Sequence, residues 1–162
     1  MAEMFETGRS TLEAAGYVQY EVSNFARPGF ACRHNIGYWT DREWLGLGPT
    51  SHSYLDGERF SNVESIEKYH HCLLRETLPV AAREEVNYDL RLREAIAFGL
   101  RQVKGIELAQ LERRYGIAPL KRFRTPIAQT TSAGWLEIRG ASLRPTRAGL
   151  AFADNLGLAF IE

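Results

Sequence analysis

The segment Arg33-His34-Asn35-Ile36-Gly37-Tyr38-Trp39 is the part of the chain around which we expect the fold to be arranged. It brings an imidazole, a carboxamide and two aromatic rings with polar atoms into a polar stretch between two segments of strand-like composition. Loops between buried elements commonly carry binding groups. We therefore predict a loop over residues 33–39. The candidate binding residues are His34, Asn35, Tyr38 and Trp39.

A glycine-spaced run follows this segment, Trp44-Leu45-Gly46-Leu47-Gly48-Pro49-Thr50-Ser51-His52-Ser53. Glycine alternating with apolar residues makes a poor strand, and such a strand is tolerated where a ligand or another element approaches the backbone closely. Gly46 and Gly48 are therefore predicted either to form one wall of a ligand pocket or to let neighbouring strands pack closely. Of these two interpretations we favour packing.

The composition is that of an ordinary globular protein, with 162 residues of which 44% are hydrophobic and 25% charged. No apolar run approaches the roughly 18–20 residues that a membrane helix needs, and the first residues lack the layout of a secretion signal. A cytoplasmic location is therefore expected. Cys32 and Cys72 lack a zinc or redox spacing and are predicted to be free thiols, too few to hold an iron-sulfur cluster, which needs several thiolates.

The two halves of the chain differ in charge, which predicts two domains. Residues 1–80 hold 7 Lys+Arg and 11 Asp+Glu, a balance of −4, whereas residues 81–162 hold 13 and 9, a balance of +4. Pro79 is expected to stop a helix at this boundary. We place the domains at residues 1–78 and 79–162.

The first domain begins with a predicted helix over residues 3–15, ended by Gly16, and a predicted strand over residues 17–22. Helix, glycine and strand are half of a βαβ unit, which normally belongs to a larger parallel sheet. Because no earlier strand precedes them, the sheet edge is expected to pair with a missing barrel half or with another chain, including a second copy. Asp56-Gly57 then predicts a hairpin over residues 50–62, and Asn62 or Ser65 caps a helix over residues 64–76.

The second domain is predicted to be mainly helical. We expect helices over residues 83–101 and 107–115, a third from Pro119 that Pro126 kinks or splits, a hairpin over residues 135–144 turning at Arg139-Gly140, and a last helix between Thr146 and Gly157. Three helices followed by a hairpin are the elements of a winged-helix domain, so the fold class is α+β. Residues 113–147 hold eight Lys+Arg and one Glu, which raises nucleic-acid binding as a less favoured alternative.

Three motifs carry a resemblance to a known family. They are Tyr20-Glu21-Val22-Ser23-Asn24-Phe25-Ala26-Arg27-Pro28-Gly29, Cys32-Arg33-His34-Asn35-Ile36-Gly37-Tyr38-Trp39 and Leu45-Gly46-Leu47-Gly48. The chain closely resembles the HemW family of radical SAM proteins, which are similar to oxygen-independent coproporphyrinogen III oxidase and act as haem chaperones. The resemblance continues more weakly through residues 90–94 and 143–149.

The resemblance implies the C-terminal portion of that family: the last elements of a partial (β/α) barrel in residues 1–78, then an accessory domain. The family's Cys-x3-Cys-x2-Cys motif, which holds a [4Fe-4S] cluster that binds S-adenosylmethionine, is absent from this sequence. The chain alone is therefore predicted to be inactive in radical chemistry. Gly46 and Gly48 are candidates for a wall that contacts S-adenosylmethionine or substrate in an intact barrel.

The resemblance also implies that His34, Asn35, Tyr38 and Trp39 bind haem or porphyrin, with His34 as a ligand of the haem iron. An imidazole nitrogen is a common axial ligand, and aromatic rings offer apolar area to the macrocycle. Two structural alternatives stay open. The histidine hydrogen-bonds to backbone while the aromatic rings fix the loop, or the whole chain serves as an accessory structural domain. Solvated or structural roles are favoured for the other histidines, His52, His70 and His71.

Overall fold

The computed structural model describes residues 2–161, which divide into two compact units. The described residues of Met1–Asp41 and Leu92–Glu162 form one unit, here called the terminal unit, and Arg42–Arg91 form the other, the central unit. These units do not follow the division predicted at residue 78, because a strand beyond that position pairs with earlier strands of the central unit. Among the helices of residues 2–161, none has both the length and the apolar composition that crossing a bilayer requires.

The terminal unit begins with helix α1, Ala2–Ala14, and Gly16 follows it with a φ of +82°. The predicted strand over residues 17–22 is shorter than expected: β1, Val18–Gln19, pairs with β2, Phe25–Ala26, in an antiparallel hairpin. The next residues pair with a distant segment of the same unit. Val22 N donates to the carbonyl of Arg101 at 3.0 Å, and Val103 N donates to the carbonyl of Tyr20 at 3.1 Å. The pairing seen here is therefore antiparallel and within the chain.

The loop predicted over residues 33–39 is a helix, α2, Arg33–Trp39. Its residues include Asn, Gly, His and two aromatics, none of which favours a helix strongly, so propensity alone does not reveal it. The N-cap Cys32 supplies no side-chain hydrogen bond to the helix. Contacts with other parts of the terminal unit must therefore stabilise this short helix.

The central unit contains a three-stranded antiparallel sheet. Its strands are β3, His52–Leu55, β4, Glu58–Asn62, and β5, Val80–Glu85. Asp56 and Gly57 connect β3 to β4 with φ values of 50° and 81°, the two positive angles of a type I′ turn. Helix α3, Ile66–Leu74, is capped by the side chain of Ser65, which accepts a hydrogen bond from Lys68 N. The predicted hairpin and this cap are confirmed.

The helix predicted over residues 83–101 is wrong at its start. Residues 80–85 belong to β5, which pairs along β4, and helix α4, Tyr88–Gly99, begins only afterwards. Asn87 Oδ1 accepts a hydrogen bond from Leu90 N at 2.9 Å and so caps this helix. The Ala and Glu residues of β5 favour a helix by propensity, but pairing with β4 outweighs that preference.

The rest of the terminal unit alternates short helices with a second three-stranded sheet, in the order β6-β8-β7. The elements are β6, Ile106–Glu107, α5, Leu108–Tyr115, α6, Pro119–Arg122, α7, Arg124–Ser132, β7, Leu136–Arg139, β8, Ser142–Pro145, α8, Arg147–Ala151, and α9, Ala153–Ile161. Gly116 ends α5 in the left-handed conformation, as predicted, and Thr146 caps α8 by accepting from Gly149 N.

Three details at element ends differ from expectation. The helix from Pro119 breaks at Phe123, and Pro126 lies in the first turn of α7, where its missing N–H removes no helical hydrogen bond. The hairpin turn consists of residues 140–141, because Arg139 pairs with Ser142. Gly157 does not end the last helix.

Gly157 lies inside α9, where an added Cβ would sit 3.5 Å from the Cβ of Ala97. This close approach of α9 to α4 helps to form the core of the terminal unit. The buried hydrophobic residues of that core come from α4, α5, α7, β7, β8 and α9 and from positions directly after α4 and α6: Leu92, Ile96, Leu100, Leu111, Tyr115, Phe123, Ile127, Leu136, Leu143, Leu156 and Phe160. Burial of their apolar surface is the main stabilising contribution.

Replacing Leu156 by alanine tests whether α9 packs on this core. Leu156 is 0% exposed, so Leu156→Ala should lower the free energy of unfolding by about 2–5 kcal/mol. Leu158 on the same helix is 49% exposed, and Leu158→Ala should change that free energy by no more than about 0.5 kcal/mol. Urea denaturation of both variants measures the difference. Equal losses would contradict the packing of α9 described above.

Candidate functional site

Helix α2 presents the predicted binding residues on two different faces. Residues four apart in a helix lie on the same side, which pairs His34 with Tyr38 and Asn35 with Trp39. His34 and Tyr38 are both exposed. Their ring centroids are 4.9 Å apart with an interplanar angle of 87°, an edge-to-face arrangement. These two side chains form the exposed face of α2.

Asn35 and Trp39 lie on the partly buried face of α2. The Asn35 amide donates a long hydrogen bond of 3.5 Å to the hydroxyl of Tyr20. The Trp39 ring lies 6.3 Å from the Phe98 ring, and the guanidinium carbon of Arg101 lies 5.0 Å from its centroid. Trp39 Nε1 is buried and has no hydrogen-bond partner among the residues that the structure describes. Ring contacts therefore hold the indole, and this face attaches α2 to the terminal unit.

The His34 imidazole has the chemistry that an axial ligand of haem iron needs. Within the described part of the chain, its nitrogens make no hydrogen bond, and the Tyr38 ring lies beside it. Residues 2–161 contain no group of three or more His, Cys, Asp or Glu residues that would hold a metal ion. Haem iron would not require such a group, because a single histidine can serve as its ligand from the protein.

The C-terminal end of α2 is fixed by side chains from later elements. Gln102 Nε2 donates to the carbonyl of Trp39 at 3.1 Å. Arg114 on α5 donates to the carbonyl of Thr40 at 3.3 Å and to that of Asp41 at 2.6 Å. The Asp41 carboxylate lies 3.0 Å from the Arg114 guanidinium and accepts a 2.6 Å hydrogen bond from the Tyr115 hydroxyl.

We call Asp41, Gln102, Arg114 and Tyr115 the α2 latch. The sequence does not reveal these contacts, because the residues that hydrogen-bond to one another lie 63 to 74 positions apart in the chain. Its members follow no local motif. Their only signal in the sequence is that each is a polar or amphipathic residue next to a predicted element end.

A cavity of about 240 Å³ lies beside the α2 latch. Its lining includes Trp39, Gln102, Lys104, Gln110, Arg114 and Tyr115. This volume is below the roughly 300–1,000 Å³ of typical small-molecule pockets. A porphyrin is larger than most such ligands, so this cavity is too small to hold one.

Gly46 and Gly48 have reasons for being glycine within the central unit itself. A Cβ on Gly46 would lie 2.3 Å from the carbonyl oxygen of His52, a backbone atom that cannot move aside cheaply. Gly48 has a φ of +102°, which favours glycine, and its N–H donates to the Tyr69 hydroxyl at 3.1 Å. Both observations agree with the packing interpretation. A role in contacting S-adenosylmethionine stays a prediction.

The remaining candidate side chains are dispersed. Cys32 is exposed and Cys72 half-buried, both as free thiols, as predicted. His52, His70 and His71 are exposed in the central unit. Several of the basic residues between positions 113 and 147 have partners inside the terminal unit, among them Arg114 with Asp41, Arg144 with the carbonyl of Val103, and Arg147 with Glu6.

Substituting two glycines of the predicted site distinguishes local packing from a ligand wall. Gly46→Ala should lower the free energy of unfolding by about 1–3 kcal/mol even without ligand, because the added methyl meets backbone. On α2, a Cβ on Gly37 meets no atom within 4 Å, so Gly37→Ala should raise that energy by up to about 1 kcal/mol. Chemical denaturation checks both. A Gly46→Ala variant as stable as the parent would mean that local packing does not require glycine there.

Comparison with known proteins gives consistent matches. Residues 88–152 match the family described as HemN C-terminal domain. The chain is 37% identical over 154 residues to the heme chaperone HemW of Mycobacterium tuberculosis, covering 95% of this chain and 37% of that protein. It is 28% identical over 160 residues to heme chaperone HemW of Bacillus subtilis, covering 99% and 42%. The chain thus spans about two fifths of the length of these curated relatives.

A solved structure shares the fold. Coproporphyrinogen III oxidase (HemN) from Escherichia coli, described as a radical SAM enzyme, matches with a TM-score of 0.74 at 15% sequence identity. The match covers 96% of this chain and 39% of that one. At this identity the likeness concerns the fold alone.

Proposed function

Because the chain belongs to the HemW family and corresponds to its C-terminal portion, we propose that it contributes a haem-binding surface whose iron ligand is His34. The observation that carries the proposal is the exposed imidazole of His34 on α2, beside the Tyr38 ring and without a competing hydrogen bond among the described residues. The curated relatives carry the name heme chaperone, which is in keeping with this role.

The two faces of α2 have different tasks in this proposal. An imidazole nitrogen of His34 would ligate the iron, and the Tyr38 ring would offer apolar area to the macrocycle. For Asn35 and Trp39, contact with haem stays a prediction, whereas their observed contacts are within the protein. They attach the helix to Tyr20, Phe98 and Arg101, so that the exposed face keeps its orientation. When bound, haem would supply the iron that His34 ligates.

We assign no radical chemistry to this chain. Its only cysteines are Cys32 and Cys72, and a [4Fe-4S] cluster needs more thiolates than two. We infer that in the longer family members the cluster and S-adenosylmethionine belong to parts outside these residues. Partnership with a barrel half or with another chain stays a prediction, as does the cytoplasmic location.

The finer fold assignment also belongs to the proposal. We infer a winged-helix-like domain from α4 to β8, supported by the element order α4, β6, α5, α6 and α7, β7, β8 and by the sheet order β6-β8-β7. The partial barrel expected for the first domain stays a prediction. Nucleic-acid binding is not favoured, because Arg114, Arg144 and Arg147 are already engaged and phosphate contacts depend on available cations.

Haem titration tests the ligand assignment. Ferric haem added to the chain should shift its Soret band on binding, and His34→Ala should weaken the affinity at least tenfold. Loss of the iron ligand itself should weaken the affinity more than loss of a residue that only hydrogen-bonds to a ligand, which typically weakens it roughly 10–100-fold. Absorbance titration measures the dissociation constant of each variant.

His70→Ala is the matched control, since His70 is an exposed histidine on another helix, α3. It should bind haem like the parent. Equal affinity of the parent and His34→Ala would remove His34 as the ligand, and an equal loss in both alanine variants would point to nonspecific binding.

A further inference from the structure

We propose that Arg114 and Tyr115 on α5 are positioning residues for haem binding. They fix the C-terminal end of α2 and thereby hold His34 in the orientation that ligation needs. This inference rests on the proposed function, because it assumes that His34 ligates the iron. Neither residue is part of the exposed face of α2.

The first step concerns the carbonyl groups at the end of α2. The last carbonyls of a helix have no partner within it, and the partial negative charge there favours a cation. The carbonyls of Thr40 and Asp41, just beyond the helix, both accept from the Arg114 guanidinium. One side chain therefore satisfies two consecutive carbonyls and places its charge at the favourable end of the helix.

The second step concerns the backbone of Asp41. Its φ of 51° lies in the left-handed region, which is uncommon and strained for a residue other than glycine. The carboxylate of the same residue is held by Arg114 at 3.0 Å and by the Tyr115 hydroxyl at 2.6 Å. These contacts keep the chain in the conformation that ends α2 at Trp39.

The third step is that α2 depends on such contacts for its order. It has seven residues, whereas isolated helices shorter than about 12–15 residues are marginal in water. Gly37 lowers its propensity further, and Cys32 adds no side-chain cap. With the α2 latch removed, the helix should fray from its C-terminal end, which includes Tyr38 and lies one turn from His34.

The last step connects order to affinity. When only a fraction of molecules holds the binding conformation, the apparent affinity falls by that fraction. The loss of a hydrogen bond to a charged group shifts such an equilibrium by roughly tenfold or more. Arg114→Gln and Tyr115→Phe should each weaken haem binding about tenfold, although neither residue touches haem.

The experiment compares these variants with a matched control. Arg113→Gln makes the same substitution at the neighbouring exposed position, whose carboxylate contact is a distant 4.0 Å to Glu107. Tyr115→Phe removes only a hydroxyl and keeps the buried ring. Hydrogen exchange of the amides of α2 is measured without haem, and the dissociation constant of ferric haem by absorbance titration.

The inference predicts exchange about tenfold faster in α2 and affinity about tenfold weaker for Arg114→Gln and Tyr115→Phe, with Arg113→Gln like the parent. Compared with Arg114→Gln, Arg114→Lys should restore part of the protection from exchange and part of the haem affinity. An ammonium supplies the charge but not the bidentate hydrogen-bonding geometry of the guanidinium. On a His34→Ala background, Arg114→Gln should cause no further loss of affinity, as expected for a residue that acts through His34.

The outcomes separate the two proposals. If His34→Ala weakens binding while the two latch variants bind like the parent, the positioning role is wrong and the ligand assignment stands. If His34→Ala binds like the parent, the ligand assignment fails and the positioning role with it. If exchange accelerates equally in the core helices α4 and α9, Arg114 and Tyr115 are general structural residues, which also contradicts the inference.

Discussion

Hydrogen bonds to the end of a seven-residue helix are the constraint on which the position of α2 in the terminal unit depends. The carbonyls of residues 39–41 accept hydrogen bonds from the side chains of Gln102 and Arg114, which lie far along the chain. Because these carbonyls have no partners within α2, the early segment is stable only where the later helices hold it. Together with the backbone pairing of residues 20–22 with residues 101–103, this joins both ends of the sequence in one compact unit.

Helical periodicity explains why one short motif serves two purposes. Residues four apart share a face, so Asn35 and Trp39 bind the helix to the protein while His34 and Tyr38 remain exposed. A loop would not enforce this division, since its side-chain directions are not periodic. The rigid attachment of one face therefore gives the side chains of the other face a defined orientation.

Local signals in the sequence predicted part of this structure. Asp56-Gly57 predicts its turn and Gly116 its helix end, because each requires a positive φ that few residues adopt easily. The sequence predicts a loop where α2 lies and the start of a helix where β5 lies. Both predictions are wrong, because distant partners stabilise α2 and β5 against their own propensity. The candidate residues of α2 were predicted, but their division between two faces and the α2 latch depend on tertiary contacts that no local pattern encodes.

Under the proposed function, α2 offers the imidazole of His34, alone among the four histidines, to haem iron. Nitrogen-15 NMR of the histidine side chains, recorded before and after adding ferric haem, distinguishes these histidines, because paramagnetic iron broadens or shifts the resonances of its ligand. We expect the His34 signals to disappear or shift strongly while those of His52, His70 and His71 persist. Unchanged His34 signals in a sample that has bound haem would rule out His34 as the ligand.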